Sequence, residues 1–174
     1  MREDRRPPIV CVVGTSDSGK TTLLEKIVPE LKIRGYRVAV VKHDVHGFEM
    51  DKEGKDSWRL KRAGADAIVV SSPTKIALIE DVDHDLTLDE LREKLRLEVD
   101  IILTEGYKRE SYPKIEVFRK AHGRELLCSE EEELIAIASD SPIEVGNARW
   151  LHIDDAKAIV DFLEERFSLK EKKR

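Results

Sequence analysis

The chain contains no glutamine, a single asparagine (Asn147) and only two cysteines, Cys11 and Cys128, in 174 residues. Two cysteines so far apart exclude a disulfide framework and a cysteine-based metal centre, and they suit a reducing cytoplasm. No apolar run exceeds strand length, which excludes a membrane-spanning helix from the sequence. The charged start, Met1 to Arg6, is not followed by the apolar core of a signal peptide, so a cytoplasmic location is expected. The net charge of −5, from 36 acids and 31 bases, excludes a global basic field for nucleic acid. Lys170 to Arg174 is basic, as a solvated terminus often is. Scarce amides beside 39% charged residues resemble a thermophile's composition. The length suits one domain spanning 1–174 with a full α/β core, the ends 1–7 and 169–174 expected as frayed tails.

What is present is more telling. Gly14-Thr15-Ser16-Asp17-Ser18-Gly19-Lys20-Thr21 is a complete G-x-x-x-x-G-K-[ST] phosphate-binding loop. A β-branched run, Ile9 to Val13, enters it, and a helical pattern from Thr21 to Arg34 leaves it. In that setting the glycines let the backbone curl so that N–H groups face phosphate oxygens. The helix N-terminus adds its positive end, Lys20 reaches the β/γ-phosphates, and the Thr21 hydroxyl ligates Mg²⁺.

Short β-branched runs alternate with helical patterns throughout, predicting a mostly parallel sheet built from βα units. Leu23, Leu24, Ile27, Val28 and Leu31 form the apolar stripe of the first helix, which Pro29 is expected to kink or split and Gly35 to end. Arg37 to Lys42 reads as the second strand, His43 to Gly54 as a polar loop, and Lys55 to Ala63 as a helix. Asp66 to Ser71 and Lys75 to Ile79 are strands joined by only Ser72-Pro73-Thr74, so they must pair antiparallel. Thr87 and Glu90 form a capping box for a helix to about Leu97. Val99 to Thr104, Ile115 to Phe118, Leu134 to Ala138 and Trp150 to Ile153 complete the strands, and Asp154 is expected to cap a last helix to Phe167. The acidic run Glu130 to Glu133 reads as a solvated loop.

In open α/β sheets, ligands sit at the carboxyl ends of the strands. Asp100 opens the fifth strand and Glu105 closes it, so Glu105 is the acid expected at the metal or the attacking water. Asp44, after Lys42-His43, is a second candidate for magnesium or water. His43, Asp44 and His46 also permit a weaker transition-metal reading. Lys52, Lys55, Arg59 and Arg62, with Lys108 and Arg109, suggest a second anionic ligand. No Asn-Lys-x-Asp motif exists to read guanine. Asp140, after Ala138-Ser139, either takes the guanine N1–H and N2–H or starts the turn before Pro142.

Taken together, several segments resemble the MobB family, the molybdopterin-guanine dinucleotide biosynthesis adapters. They are Gly14 to Thr22, Arg34 to Asp44, Asp51, Gly54 to Arg59, Ala63-Gly64-Ala65 and Glu105 to Lys108. The resemblance implies a P-loop NTPase three-layer α/β fold, mostly parallel with an antiparallel hairpin addition. It implies a GTP- and Mg²⁺-binding, weakly hydrolysing adapter that assists the guanylyltransferase attaching GMP to molybdopterin. By the same resemblance, Gly19, Lys20, Thr21 and Thr22 hold GTP and Mg²⁺, Glu105 lies near the γ-phosphate, and the basic groups after residue 42 face pterin or partner. It also implies a homodimer, with the strands around 66–79 and 115–118 pairing between subunits. Thr15 stands where ParA/MinD-type ATPases place a signature lysine, and the lack of a water-orienting glutamine or an arginine finger fits slow hydrolysis.

Three other readings use the same residues. A small-molecule kinase would need an arginine lid, for which Lys108, Arg109 and Arg119 are candidates. A nickel or cobalt metallochaperone GTPase would rely on His43 and His46, and a scaffold would keep only a vestigial nucleotide site.

Overall fold

The computed structural model describes residues 6–95, 98–122, 125–130 and 132–170. These divide into two compact units, one formed by the described residues of 6–43 and 98–170, the other by 44–95.

The first unit is built on a sheet. Its strands are β1 (Ile9–Val13), β2 (Val38–Lys42), β5 (Ile101–Glu105), β6 (Lys114–Phe118), β7 (Leu134–Ser139) and β8 (Arg149–His152), in the order β2-β5-β1-β6-β7-β8. All the pairings are parallel. β1, which carries the phosphate loop, lies in mid-sheet between β5 and β6, and β2 and β8 form the edges.

Side chains alternate across the sheet. Val10, Val12, Leu103, Ile115, Val117, Ala136 and Ala138 join a core with α1 (Lys20–Ile33) and α4 (Ala156–Phe167). Loop segments cover the other face, where the buried Glu116 carboxylate accepts the Leu127 and Cys128 N–H groups at 2.7 and 3.0 Å. Arg34 joins the two helices, donating to Glu30 (2.9 Å), Asp161 (2.6 Å) and Glu164 (2.7 Å), while the Tyr36 hydroxyl donates to Glu164 (2.9 Å).

Three expectations are corrected in this unit. Pro29 does not split α1, which runs unbroken from Lys20 to Ile33. Pro29 is exposed, so the carbonyl that loses its partner faces water, while Leu23, Leu24, Ile27 and Leu31 pin the helix to the sheet on both sides of it. The last helix is capped by Asp155, which accepts the Ala158 N–H at 3.0 Å, because Asp154 is paired with Lys26 at 2.5 Å. Finally, residues 115–118 cannot pair between subunits: β6 is bonded along both edges, to β1 and β7, and is parallel to each. Gly35 does end α1, the Gly35 and Tyr36 N–H groups returning to the Lys32 and Leu31 carbonyls.

The second unit contains α2 (Asp56–Arg62), an antiparallel pair of β3 (Ala67–Ser71) and β4 (Ile76–Glu80), and α3 (Leu88–Lys94). Lys61 ties α2 to both strands, donating to the Ala65 and Asp66 carbonyls and pairing with Asp81. The Thr87–Glu90 capping box is present. Residues 96 and 97, the expected end of α3, lie outside the described residues, as do 1–5 and 171–174 of the expected tails and Glu131 of the acidic run.

Candidate functional site

The loop from β1 to α1 is shaped by backbone that side chains rarely adopt. Gly14 and Gly19 have φ of +143° and +102°, and Asp17 has φ of +63°. A Cβ on Gly14 would stand 2.6 Å from the Val117 carbonyl oxygen and 2.7 Å from Ser18 Oγ, so β6 closes directly on the loop. Gly19 is the N-cap of α1; no side chain caps it, and the first turn carries no acid. The early N–H groups of α1, through Thr22, have no partner in the preceding turn and present the positive helix end.

The loop fits a bound phosphate chain on a further count. Ser18 Oγ is buried and has no hydrogen-bond partner among the described residues, an arrangement that costs free energy unless a ligand oxygen engages it. Lys20 Nζ donates to the loop's own carbonyls, Gly14 at 3.2 Å and Thr15 at 2.8 Å. Burial pushes the Lys20 ammonium below its ordinary pKa, against the pull of Glu105 and Asp17. Thr15, Ser16 and Asp17 form the outer rim of the loop, Ser16 and Asp17 being exposed.

Glu105 closes β5 next to β1, as its place in the sequence predicts. Its Oε2 accepts the Thr21 hydroxyl at 2.8 Å, and Lys42 Nζ lies 3.7 Å from its Oε1. Hydroxyl and carboxylate thus converge as hard oxygen donors suited to magnesium, with Lys20 and Lys42 alongside. Asp100 lies at the opposite strand end, where it accepts the Arg37 N–H at 2.8 Å. Beside Glu105, His43 stacks on Tyr107 with ring centroids 4.6 Å apart, a contact the sequence did not reveal.

Asp140 follows β7 on the other flank of the loop. Its Oδ2 is 3.8 Å from Nη1 of Arg119, and Arg119 Nε donates to the Ser18 carbonyl at 3.2 Å. Arg119, expected only as a kinase-lid candidate, is therefore part of the loop's surroundings. It directly follows β6, so the rule of carboxyl strand ends was signal enough to find it. Lys108 and Arg109 instead line a cavity of about 460 Å³ with Lys114, Cys128 and Glu133, at the start of β6.

The remaining candidates belong to the second unit. The Asp44 carboxylate accepts the His46 N–H at 3.0 Å. Lys52 and Lys55 are exposed, Arg59 lies 3.9 Å from Asp56, and Arg62 lies over the Trp58 ring at 5.2 Å. Among the described residues no three His, Cys, Asp or Glu side chains gather as a metal site, so His43, Asp44 and His46 do not form one. No helix of the described residues is long and apolar enough to cross a membrane.

Comparison with known proteins agrees with this geometry. Residues 9–140 match the model of the MobB family, molybdopterin guanine dinucleotide synthesis protein B. The molybdopterin-guanine dinucleotide biosynthesis adapter protein of Haemophilus influenzae is 39% identical over 158 residues, covering 90% of this chain and 88% of its own length. That of Escherichia coli is 37% identical over 164 residues, covering 91% and 92%. The crystal structure of Bacillus subtilis MobB superposes with a TM-score of 0.70 at 34% identity, over 95% of this chain and 99% of that one. A P-loop sheet of this order and a match across most of its length establish that the chain belongs to the MobB family.

Proposed function

We propose that the protein is a GTP- and Mg²⁺-binding adapter in molybdenum cofactor biosynthesis, acting with the guanylyltransferase that joins GMP to molybdopterin. The observation that carries this reading is the Thr21–Glu105 hydrogen bond beside a capless, glycine-shaped loop. Gly14 to Thr22 supply the phosphate cradle, with Lys20 released from its loop carbonyls to the β/γ-phosphates. Thr21 and Glu105 are the metal-side donors, and bound magnesium neutralises the phosphate oxygens. Asp44 is the further acid for positioning water, and Asp140 the acid for the guanine edge. Hydrolysis is weak, since the chain has no glutamine to orient water.

A cytoplasmic homodimer completes the proposal. The β3–β4 pair supports it, for Val69, Ile76 and Leu78 share one face and are 58, 74 and 59% exposed.

Calorimetry with GTP and ATP in the presence of Mg²⁺ tests the reading on wild type, Lys20→Ala and Asp140→Ala, alongside guanylyltransferase turnover with each added. The expected result is guanine preference in wild type, loss of binding in Lys20→Ala and loss of preference in Asp140→Ala. Equal binding of both nucleotides with rapid phosphoryl transfer to an acceptor would make the protein a kinase. Full cofactor maturation with Lys20→Ala would make the loop vestigial.

A further inference from the structure

Guanine is usually distinguished from adenine by a pattern on its edge: N1–H and the 2-amino group donate where adenine does not. A chain that prefers guanine needs an acceptor held at that edge and a surface for the purine face. In this protein no contiguous segment supplies both, for the single asparagine is Asn147.

The order of the sheet separates two sides of the phosphate loop. β5 lies on one side of β1 and brings Glu105 to Thr21. β6 and β7 lie on the other side and bring Arg119 and Asp140. The Arg119 guanidinium thus lies across β1 from the metal-side acid. It stands instead against the Ser18–Gly19 end of the loop and beside Asp140.

Two contacts hold the Arg119 side chain, and it lies close against Gly19. Nε donates to the Ser18 carbonyl, Nη1 lies 3.8 Å from Asp140, and Nε and Nη2 both stand 3.5 Å from the position of a Cβ on Gly19. A side chain at residue 19 would meet the guanidinium. Asp140 is held from the other direction. The carbonyl of the preceding residue, Ser139, accepts the Ile153 N–H at 3.0 Å, and Ser139 Oγ accepts Trp150 Nε1–H at 2.9 Å. The neighbouring acid at the end of β8, Asp154, is already paired with Lys26. Both members of the Arg119–Asp140 pair retain about a third of their side-chain exposure (31 and 35%), so a ligand can reach them.

We propose that Arg119 and Asp140 form a split guanine-reading pair, drawn from the ends of two adjacent strands. Asp140 accepts the N1–H and 2-amino hydrogens as a bidentate acceptor. Arg119 binds the purine by stacking its planar guanidinium on the ring, and its anchor on Ser18 couples that contact to the phosphate loop. This rests on the GTP reading above and extends it to a residue that reading leaves unused.

The test is equilibrium binding of GDP, GTP, ATP, XTP and inorganic tripolyphosphate, each with Mg²⁺, to wild type, Arg119→Ala, Arg119→Lys and Asp140→Asn. Arg119→Ala should weaken the binding of GDP and GTP about tenfold or more, with tripolyphosphate affinity unchanged. Arg119→Lys keeps the charge but lacks the plane, and should recover only part of the GDP affinity. Asp140→Asn should exchange the GTP preference for one for XTP, because the amide donates where the carboxylate accepted. A loss of tripolyphosphate binding equal to the loss of GDP binding would make Arg119 a phosphate ligand and overturn the proposal. So would GDP affinity that is unchanged in Arg119→Ala, and in that case the GTP reading stands. Wild type that binds GTP and ATP alike would overturn both.

Discussion

The Thr21 hydroxyl donates to Glu105 Oε2 at 2.8 Å, joining residues 84 positions apart in the chain. One oxygen comes from the first turn of a helix and the other from the end of the adjacent strand, so the geometry depends on β1 and β5 being neighbours. Glu105→Gln keeps the shape but removes the charge that a divalent cation needs. Magnesium-dependent GTP hydrolysis should fall about ten- to a hundredfold. The apparent Mg²⁺ requirement should rise in parallel while GDP binding without metal stays close to wild type. A phosphate-release assay across a magnesium titration measures both.

Gly14 has no room for a side chain. Its φ of +143° and the Val117 oxygen, 2.6 Å from where a Cβ would stand, mean that Gly14→Ala must displace loop or strand backbone. Strain of this kind costs about 1–3 kcal/mol. Urea unfolding should report that loss, and nucleotide binding should fall with it, since the displaced segment carries Ser18.

Arg34 is 16% exposed and bonded to three carboxylates, so its removal leaves Glu30 and Glu164 without their cation where α1 meets α4. Arg34→Ala should destabilise the protein by about 1–3 kcal/mol. Arg34→Lys should recover only part of this, because one ammonium cannot span the same three acceptors. Chemical denaturation of both variants distinguishes the two amounts.

The start of α3 should respond to acid. Glu90 is pushed down to about 2, first by the Thr87 backbone N–H, then by the Thr87 hydroxyl and His84. A carboxyl depressed in the folded state stabilises the cap above its ordinary pKa, near 4.5, and loses that contribution as pH falls towards 2. His84 has the opposite sign. Asp83 and then Glu90 raise its pKa, so its contribution is complete below the ordinary histidine value of 6.5 and is lost as pH rises through the raised one. The Thr87 amide resonance, followed by NMR against pH, should therefore move in two separate steps. A Glu90→Ala variant should remove the acid step.

Much of the chain was legible in its sequence where the deciding interactions are local. The capping box needs only Thr87 and Glu90 three residues apart, and the antiparallel β3–β4 pair follows from a connection too short for a crossover. The strand-end rule likewise sorted Glu105 from Asp100. It was harder to see that Pro29 sits harmlessly in α1, because that depends on which face of the helix meets the sheet. Asp154 and Asp155 are equally good caps by type, and Lys26, distant in sequence, decides between them.

By itself the sequence determined the phosphate loop, the alternation of strands and helices, and the acid at the end of β5, since each is specified by residue type and near-neighbour spacing. Only the tertiary structure decided that β6 is bonded on both edges, that His43 stacks on Tyr107, and that Arg119 links Ser18 to Asp140. Those relationships depend on strand order, and crossover connections leave strand order open until the hydrophobic faces of sheet and helices are packed together.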